Sequence, residues 1–285
     1  MNLVIAKLLL AMKDNNSLVC VGLDPDLSKI PLTMKLGYSS EESIYNFLVK
    51  VVESTKDKAC AYKIQKAFFD LIPNGHILLE EVISMCKIFA PKIPIIVDCK
   101  IGDIDNTMNV YLDNIFQKLG ADAVVLNPYM GDEVFASMQS YPEKAGIVLV
   151  RTSNLGSSSV QDLILDNGST LWEEILYSLI NRWNLKGNLM PILSSTVSNI
   201  DYRHVRKLIP DKMPILLAGY GSQGGSSLAL PQLLNSQKSG VFINSSRGLL
   251  YDPYKGDETN WQFKVSEATE KMRTELNKVR GQNED

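Results

Sequence analysis

The sequence predicts an α/β fold, a (β/α)8 barrel of the TIM type with a short N-terminal helix. Three observations predict it. Eight short apolar runs recur along the 285 residues, and amphipathic stretches lie between them. The runs are continuously apolar rather than alternating, as expected of parallel strands covered by helices. No linker or low-complexity segment interrupts the series, so residues 1–285 read as a single domain of a length ordinary for one barrel. A doubly wound open sheet is the alternative, but eight units in one chain favour closure.

The elements follow in order. Apolar residues at Val4, Ile5, Leu8, Leu9 and Met12 mark one face of an amphipathic helix. Lys7 splits that run and no clear small-residue cleavage site follows, so a helix fits better than a signal peptide. Strands are expected at 18–23, 59–64, 94–98, 123–126, 146–150, 189–193, 214–217 and 240–243. Helices are expected at 41–53, 77–89, 107–119, 171–183 and 197–208. Residues 153–159, rich in serine and containing glycine, read as a flexible loop. From Lys264 the tail is charged and helical, ending in polar residues 281–285.

Composition removes several function classes. The apolar share of 45% can fill a large core, and the net charge of −3 argues against a nucleic-acid partner, although one phosphate can still find a local pocket. No segment approaches the roughly 18 apolar residues of a membrane span, so no membrane partner is expected. Cys20, Cys60, Cys86 and Cys99 show no CxxC spacing, and read as reduced, mostly buried thiols of a cytoplasmic protein. The two histidines, His76 and His204, are expected at the surface. They share no metal-binding spacing, so no metal site is expected. No GxSxG elbow, Cys/His pair or dinucleotide fingerprint is present.

Barrel chemistry sits at the C-terminal ends of the strands, so the polar residues just after each run matter most. The third run ends Asp98-Cys99-Lys100-Ile101-Gly102-Asp103. Strand alternation points Asp98 and Lys100 the same way, and carboxylates on either side stabilise an ammonium that can protonate carbon. A solvent-facing salt bridge is the bland reading of the same residues. Lys63 lies inside the second apolar run, where an unpaired charge costs several kcal/mol, so it needs a carboxylate from strand three. Lys66 reads as solvated. Asp24, first polar group after strand one, can accept from sugar hydroxyls, but alone it reads more readily as a turn cap. Ala218–Gly225 and Asn244–Gly248, with Arg247, follow strands seven and eight, where barrels commonly hold phosphate.

These residues resemble the orotidine 5′-phosphate decarboxylase family, in its longer-chain branch. The likeness runs from Val19 to Tyr251. Its motifs appear in order: Gly22-Leu23-Asp24-Pro25, Lys63 with Ala67-Phe68-Phe69, Asp98-x-Lys100-x-x-Asp103-Ile104-x-x-Thr107, Thr152-Ser153-Asn154, Gln223-Gly224-Gly225 and Ser246-Arg247. Ala218, Tyr220, Ser226 and Leu155 depart from the usual pattern, none at a charged catalytic position. The resemblance implies cofactor-free decarboxylation of orotidine monophosphate to uridine monophosphate, with Lys100 protonating C6. It implies a Lys63, Asp98, Lys100, Asp103 charge network in a homodimer with shared sites, Asp103 and Thr107 coming from the second subunit. It further implies Asp24 on ribose, Ser153 on the pyrimidine amide edge, and Gln223 and Arg247 on phosphate. Two alternatives remain open: a Mg2+-dependent phosphosugar decarboxylase or aldolase on the same barrel, and a non-catalytic nucleotide-binding module.

Overall fold

A computed structural model describes residues 1–197, 200–219 and 229–281. Its eight strands are β1 (Val19–Gly22), β2 (Ala61–Gln65), β3 (Ile95–Ile101), β4 (Ala123–Leu126), β5 (Ala145–Leu149), β6 (Leu189–Ser194), β7 (Ile215–Ala218) and β8 (Val241–Ser245). All pair in parallel with their sequence neighbours, and β8 returns to β1 through Val19 opposite Ile243, so the sheet closes into the expected (β/α)8 barrel. The continuously apolar runs are buried on both faces because helices cover them outside and side chains fill the barrel inside.

The helices form where the apolar spacing places them. Helix Ser40–Thr55 opens with a reciprocal cap: the Glu42 amide donates to Ser39 Oγ at 3.2 Å, and the Ser39 amide donates to Glu42 at 2.8 Å. It buries Ile44, Phe47, Leu48, Val51 and Val52 against the barrel, with Phe47 stacked on Tyr251 and tilted against Trp261. The expected helices 107–119 and 171–183 each end in a wider π turn, Asn114–Lys118 and Leu179–Trp183. The stretch expected at 197–208 is a helix only over Tyr202–Leu208. Its start is set by Asp201, whose side chain accepts the His204 amide at 3.0 Å. Residues 153–159 are not a loose loop. They form two short helical turns, Leu155–Ser157 and Ser158–Gln161, with Ser157 buried.

Helix Leu3–Asp14 plugs the N-terminal end of the barrel. Asn2 donates to the carbonyls of Pro142 and Lys144 at the foot of β5. Lys7 pairs with Asp122 at 3.0 Å, and Asp122 also accepts the Ile95 amide at the foot of β3. The C-terminal ends of the strands open onto a cavity of about 810 Å³. Among the described residues no helix is long and apolar enough to cross a membrane. The four cysteines are free, and His76 and His204 are exposed.

Candidate active site

Two lysines share one carboxylate at the mouth of the barrel. Lys63 on β2 is only 7% exposed, and its Nζ lies 2.8 Å from Asp98 Oδ2 on β3. Lys100 Nζ lies 2.6 Å from Asp98 Oδ1. The partner that Lys63 demanded is therefore Asp98, as strand adjacency predicted. Burial pushes the Lys63 ammonium toward neutrality, but the Asp98 and Asp24 carboxylates outweigh it and hold its pKa above the ordinary value. Burial likewise raises Asp98, and the charges of Lys63 and Lys100 reverse that, leaving it below the usual carboxylate range. Lys63 and Asp98 are thus each stabilised as ions by the other, while the Lys100 side chain is 46% exposed.

Simple alternation does not describe the end of β3. The pairing with β4 shifts between Val97 and Ile101, and Lys100 sits at φ 48°, in the left-handed region. A bulge therefore aims Lys100, at a backbone cost of about 1–3 kcal/mol for a residue with a side chain. Gly102 completes the turn where the backbone passes Asn127. A Cβ there would meet the Asn127 carbonyl oxygen at 2.4 Å.

Asp24 does not cap its own turn. One carboxylate oxygen accepts the Gln65 amide of β2 at 3.2 Å, and its carbonyl accepts the Tyr251 hydroxyl. Asp26 takes the capping role instead, accepting from the Ser28 amide and hydroxyl and pairing with Lys29. Asp24 is thereby tied across β1 and β2 beside Lys63, a placement that local turn statistics do not foresee.

Above the lysine pair opens a cavity of about 810 Å³, bounded by Lys63, Asp98, Lys100, Ser153, Asn244 and Arg247 among others. That is room for a nucleotide-sized ligand. Ser153 makes no hydrogen bond to the chain among the described residues. Arg247 follows β8, and among the described residues it is held only by a loose 3.9 Å contact with Asp252, which leaves the rest of its guanidinium for an anion. The turn from β8 lies close on β1: a Cβ on Gly22 would meet Ser246 Oγ at 1.9 Å. Gln223 lies outside the described residues.

Asp103 and Thr107 are not drawn into this cluster. Asp103 accepts the neighbouring Ile104 amide at 2.8 Å and forms no ion pair among the described residues. Thr107 is exposed on helix Asp105–Asp113. Among the described residues, no three His, Cys, Asp or Glu side chains gather as a metal site would require. Sequence reasoning missed Arg151, which is 3% exposed and binds Asp162 through two parallel contacts of 2.9 Å. The signal was available: a charged residue directly after an apolar strand poses the same demand for a partner as Lys63.

A family model described as "Orotidine 5'-phosphate decarboxylase / HUMPS family" matches residues 17–255. The chain belongs to that family. An "Orotidine 5'-phosphate decarboxylase" of Janthinobacterium sp. (strain Marseille) is 38% identical over 259 residues, covering 90% of this chain and 91% of that one. Among solved structures, a Leishmania donovani OMP decarboxylase superposes with a TM-score of 0.81 at 29% identity, covering 99% of both chains. A Leishmania donovani UMP synthase gives the same TM-score at 30% identity. It covers 96% of this chain, which spans 56% of that longer protein. The Lys63–Asp98–Lys100 cluster lies within the residues that the family model matches.

Proposed function

We propose that this protein decarboxylates orotidine 5′-phosphate to uridine 5′-phosphate and CO2, in de novo pyrimidine synthesis, with no metal or organic cofactor. The observation that carries the reading is the ion row Lys63–Asp98–Lys100 lining a nucleotide-sized cavity, in a chain 38% identical to a named decarboxylase. Breaking the bond from C6 to the carboxylate leaves an electron pair on C6 with no conjugated sink, a barrier that demands on the order of 20 kcal/mol of catalysis. Lys100 supplies fixed positive charge beside that carbon and then donates its proton to it. Its half-exposed side chain regains a proton from solvent. Asp98 faces the departing carboxylate and holds both lysines in place. Arg247, with Gln223, binds phosphate, Ser153 reads the pyrimidine edge, and Asp24 takes the ribose hydroxyls.

The same geometry weighs against the metal-dependent members of the superfamily. Both Asp98 oxygens already carry ammonium groups at 2.6 and 2.8 Å, so a cation would have to displace a lysine to reach them. Asp103 and Thr107 are read as the contribution of a second subunit. The exposed apolar side chains Ile104, Val110, Tyr111 and Met130 near them suit such an interface. Residues 1–285 are read as one domain, and four free thiols fit a reducing cytoplasm.

The test is incubation with orotidine monophosphate and EDTA, following the absorbance lost on conversion to uridine monophosphate. Full turnover is expected. No conversion, or conversion restored only by Mg2+, overturns the assignment.

A further inference from the structure

We propose that Arg151, Gln161 and Asp162 form a clamp that positions Ser153 and so sets how the site reads the base. This rests on the proposed function, because it takes the ligand edge facing Ser153 to be a pyrimidine.

The clamp begins at the end of β5. Arg151 emerges from the strand into the interior, and its amide donates to the Ile192 carbonyl on β6 at 3.2 Å. Its guanidinium spends one edge on Asp162, Nε to Oδ1 and Nη2 to Oδ2, both at 2.9 Å. The remaining Nη1 donates to the Thr152 carbonyl at 2.8 Å, to Ser157 Oγ at 2.5 Å and to Gln161 Oε1 at 3.3 Å. A buried guanidinium with so many partners is a rigid reference point, because its fork fixes direction as well as distance.

Gln161 passes that rigidity to the loop. Its Oε1 accepts the Thr152 amide at 2.9 Å, and its Nε2 donates to Thr152 Oγ1 at 2.8 Å. Thr152 Oγ1 donates to Asn154 Oδ1 at 2.7 Å, and Ser157 Oγ donates to the Asn154 carbonyl at 2.6 Å. The residues on both sides of Ser153 are therefore held by amide, carbonyl and side chain alike. Ser153 itself makes no hydrogen bond to the chain among the described residues, and it lines the cavity together with Thr152, Asn154 and Gln161, while Arg151 and Asp162 stand behind them outside the lining. Everything around the hydroxyl is fixed while the hydroxyl stays available. That division suits a group that must meet a ligand at a set place without first rearranging. Arg151 is a positioning residue, acting through Thr152 and Ser153.

The test uses Arg151→Lys, which keeps the charge but loses the two-pronged contact, and Asp162→Asn, which keeps the shape but loses the charge. Affinities for uridine monophosphate and for ribose 5-phosphate are measured by calorimetry, alongside kcat and KM for orotidine monophosphate. Each variant is expected to bind uridine monophosphate about tenfold more weakly, from the misplaced Ser153 hydrogen bond to the base. Ribose 5-phosphate, which offers no base edge, is expected to bind as to wild type. KM should rise with the lost affinity, and kcat should fall less. The double variant should be no worse than the weaker single, since both break one unit. Parallel losses for both ligands, or unchanged uridine monophosphate affinity in folded variants, overturn the clamp. If the Arg151 and Asp162 variants do not fold, Ser157→Ala applies the same comparison with the ion pair left intact, because Ser157 bonds Arg151 and the Asn154 carbonyl without lining the cavity. Wild-type protein that neither binds uridine monophosphate nor turns over substrate sinks the proposed function and the clamp's ligand assignment together. Wild-type turnover with unaltered variants sinks the clamp alone.

Discussion

Lys63 and Lys100 bind the same carboxylate, and replacing each should break a different property. Lys63 and Asp98 side chains are both 8% exposed. Removing one partner of such a buried pair costs about 3–5 kcal/mol, because the other charge is stranded. In Lys63→Met, Asp98 still has Lys100 on its other oxygen, so the lower figure applies, about 3 kcal/mol. At roughly 2 °C per kcal/mol for a chain of this length, Tm should fall by about 6 °C. Lys100 is different: its side chain is 46% exposed, and pairs of that kind contribute about 0–1 kcal/mol. Lys100→Ala should therefore melt within about 2 °C of wild type while losing at least 100-fold in kcat, the share of a positioned acid. The left-handed backbone at Lys100 adds a second comparison. Lys100→Gly should be more stable than Lys100→Ala by about 1 kcal/mol, because glycine adopts that conformation freely. The assays are thermal melts and single-substrate turnover on the same preparations. A Lys100→Ala protein that keeps more than about a tenth of kcat removes Lys100 as proton donor. A Lys63→Met protein as stable as wild type would show that the buried pair does not hold the barrel mouth.

The other expectations concern charge and assembly. Arg247→Ala should weaken phosphate-bearing ligands by about 1.5–3 kcal/mol and leave the bare nucleoside nearly untouched; equal losses in binding assays would remove Arg247 from the phosphate site. Asp98, held low, contributes stability that is complete above the ordinary carboxyl value of about 3.9 and lost as pH falls through its lower folded value. Lys63, held high, contributes stability that is complete below about 10.4 and lost as pH rises through its higher folded value. The stability gap between wild type and Lys63→Met should thus be flat from about pH 5 to 9 in denaturant titrations, and a midpoint inside that window would contradict the assigned charges. If the proposed dimer shares its sites, refolding equal amounts of inactive Lys100→Ala and Asp103→Ala together should restore about a quarter of wild-type activity, since half the dimers would be mixed and each would hold one intact site. A mixture as inactive as its parents, with mixed dimers shown to form, would keep Asp103 within its own chain.

Strand periodicity made the barrel legible, since an uninterrupted apolar run buried on both faces has few other fates. The same physics located the lysine pair: an ammonium at Lys63 inside such a run has to find a carboxylate, and β3 was the adjacent source. What escaped depends on groups that meet only after folding. The bulge at Lys100 follows from the shifted β3–β4 pairing and the close pass of Gly102 by Asn127, neither of which has a local signature. Residues 153–159 carry the composition of a loose loop, yet Arg151 binds Ser157, and Thr152 and Ser157 both bind Asn154. Turn statistics favoured Asp24 as a cap, but two aspartates stand two residues apart, and only the Asp24 side chain falls within reach of the Gln65 amide.

Lys100 also explains why the charge row looks unfinished within one chain. An ammonium has three donors, and among the described residues the carboxylate that takes one of them is Asp98. The next carboxylate in sequence, Asp103, accepts its own neighbour's amide and forms no ion pair among the described residues. Helix Asp105–Asp113 begins immediately afterwards and carries Thr107, Val110 and Tyr111 outward with it. An exposed apolar surface beside an ion row that ends in a half-exposed lysine is the geometry expected where a second copy completes the site. A two-fold axis would return the same segment to the other barrel mouth. On that reading the strain at Lys100 and the outward turn at Asp103 are one device. The bulge lifts the lysine toward the rim, where a carboxylate from outside the chain can reach it, and the mixed-dimer experiment measures that reach.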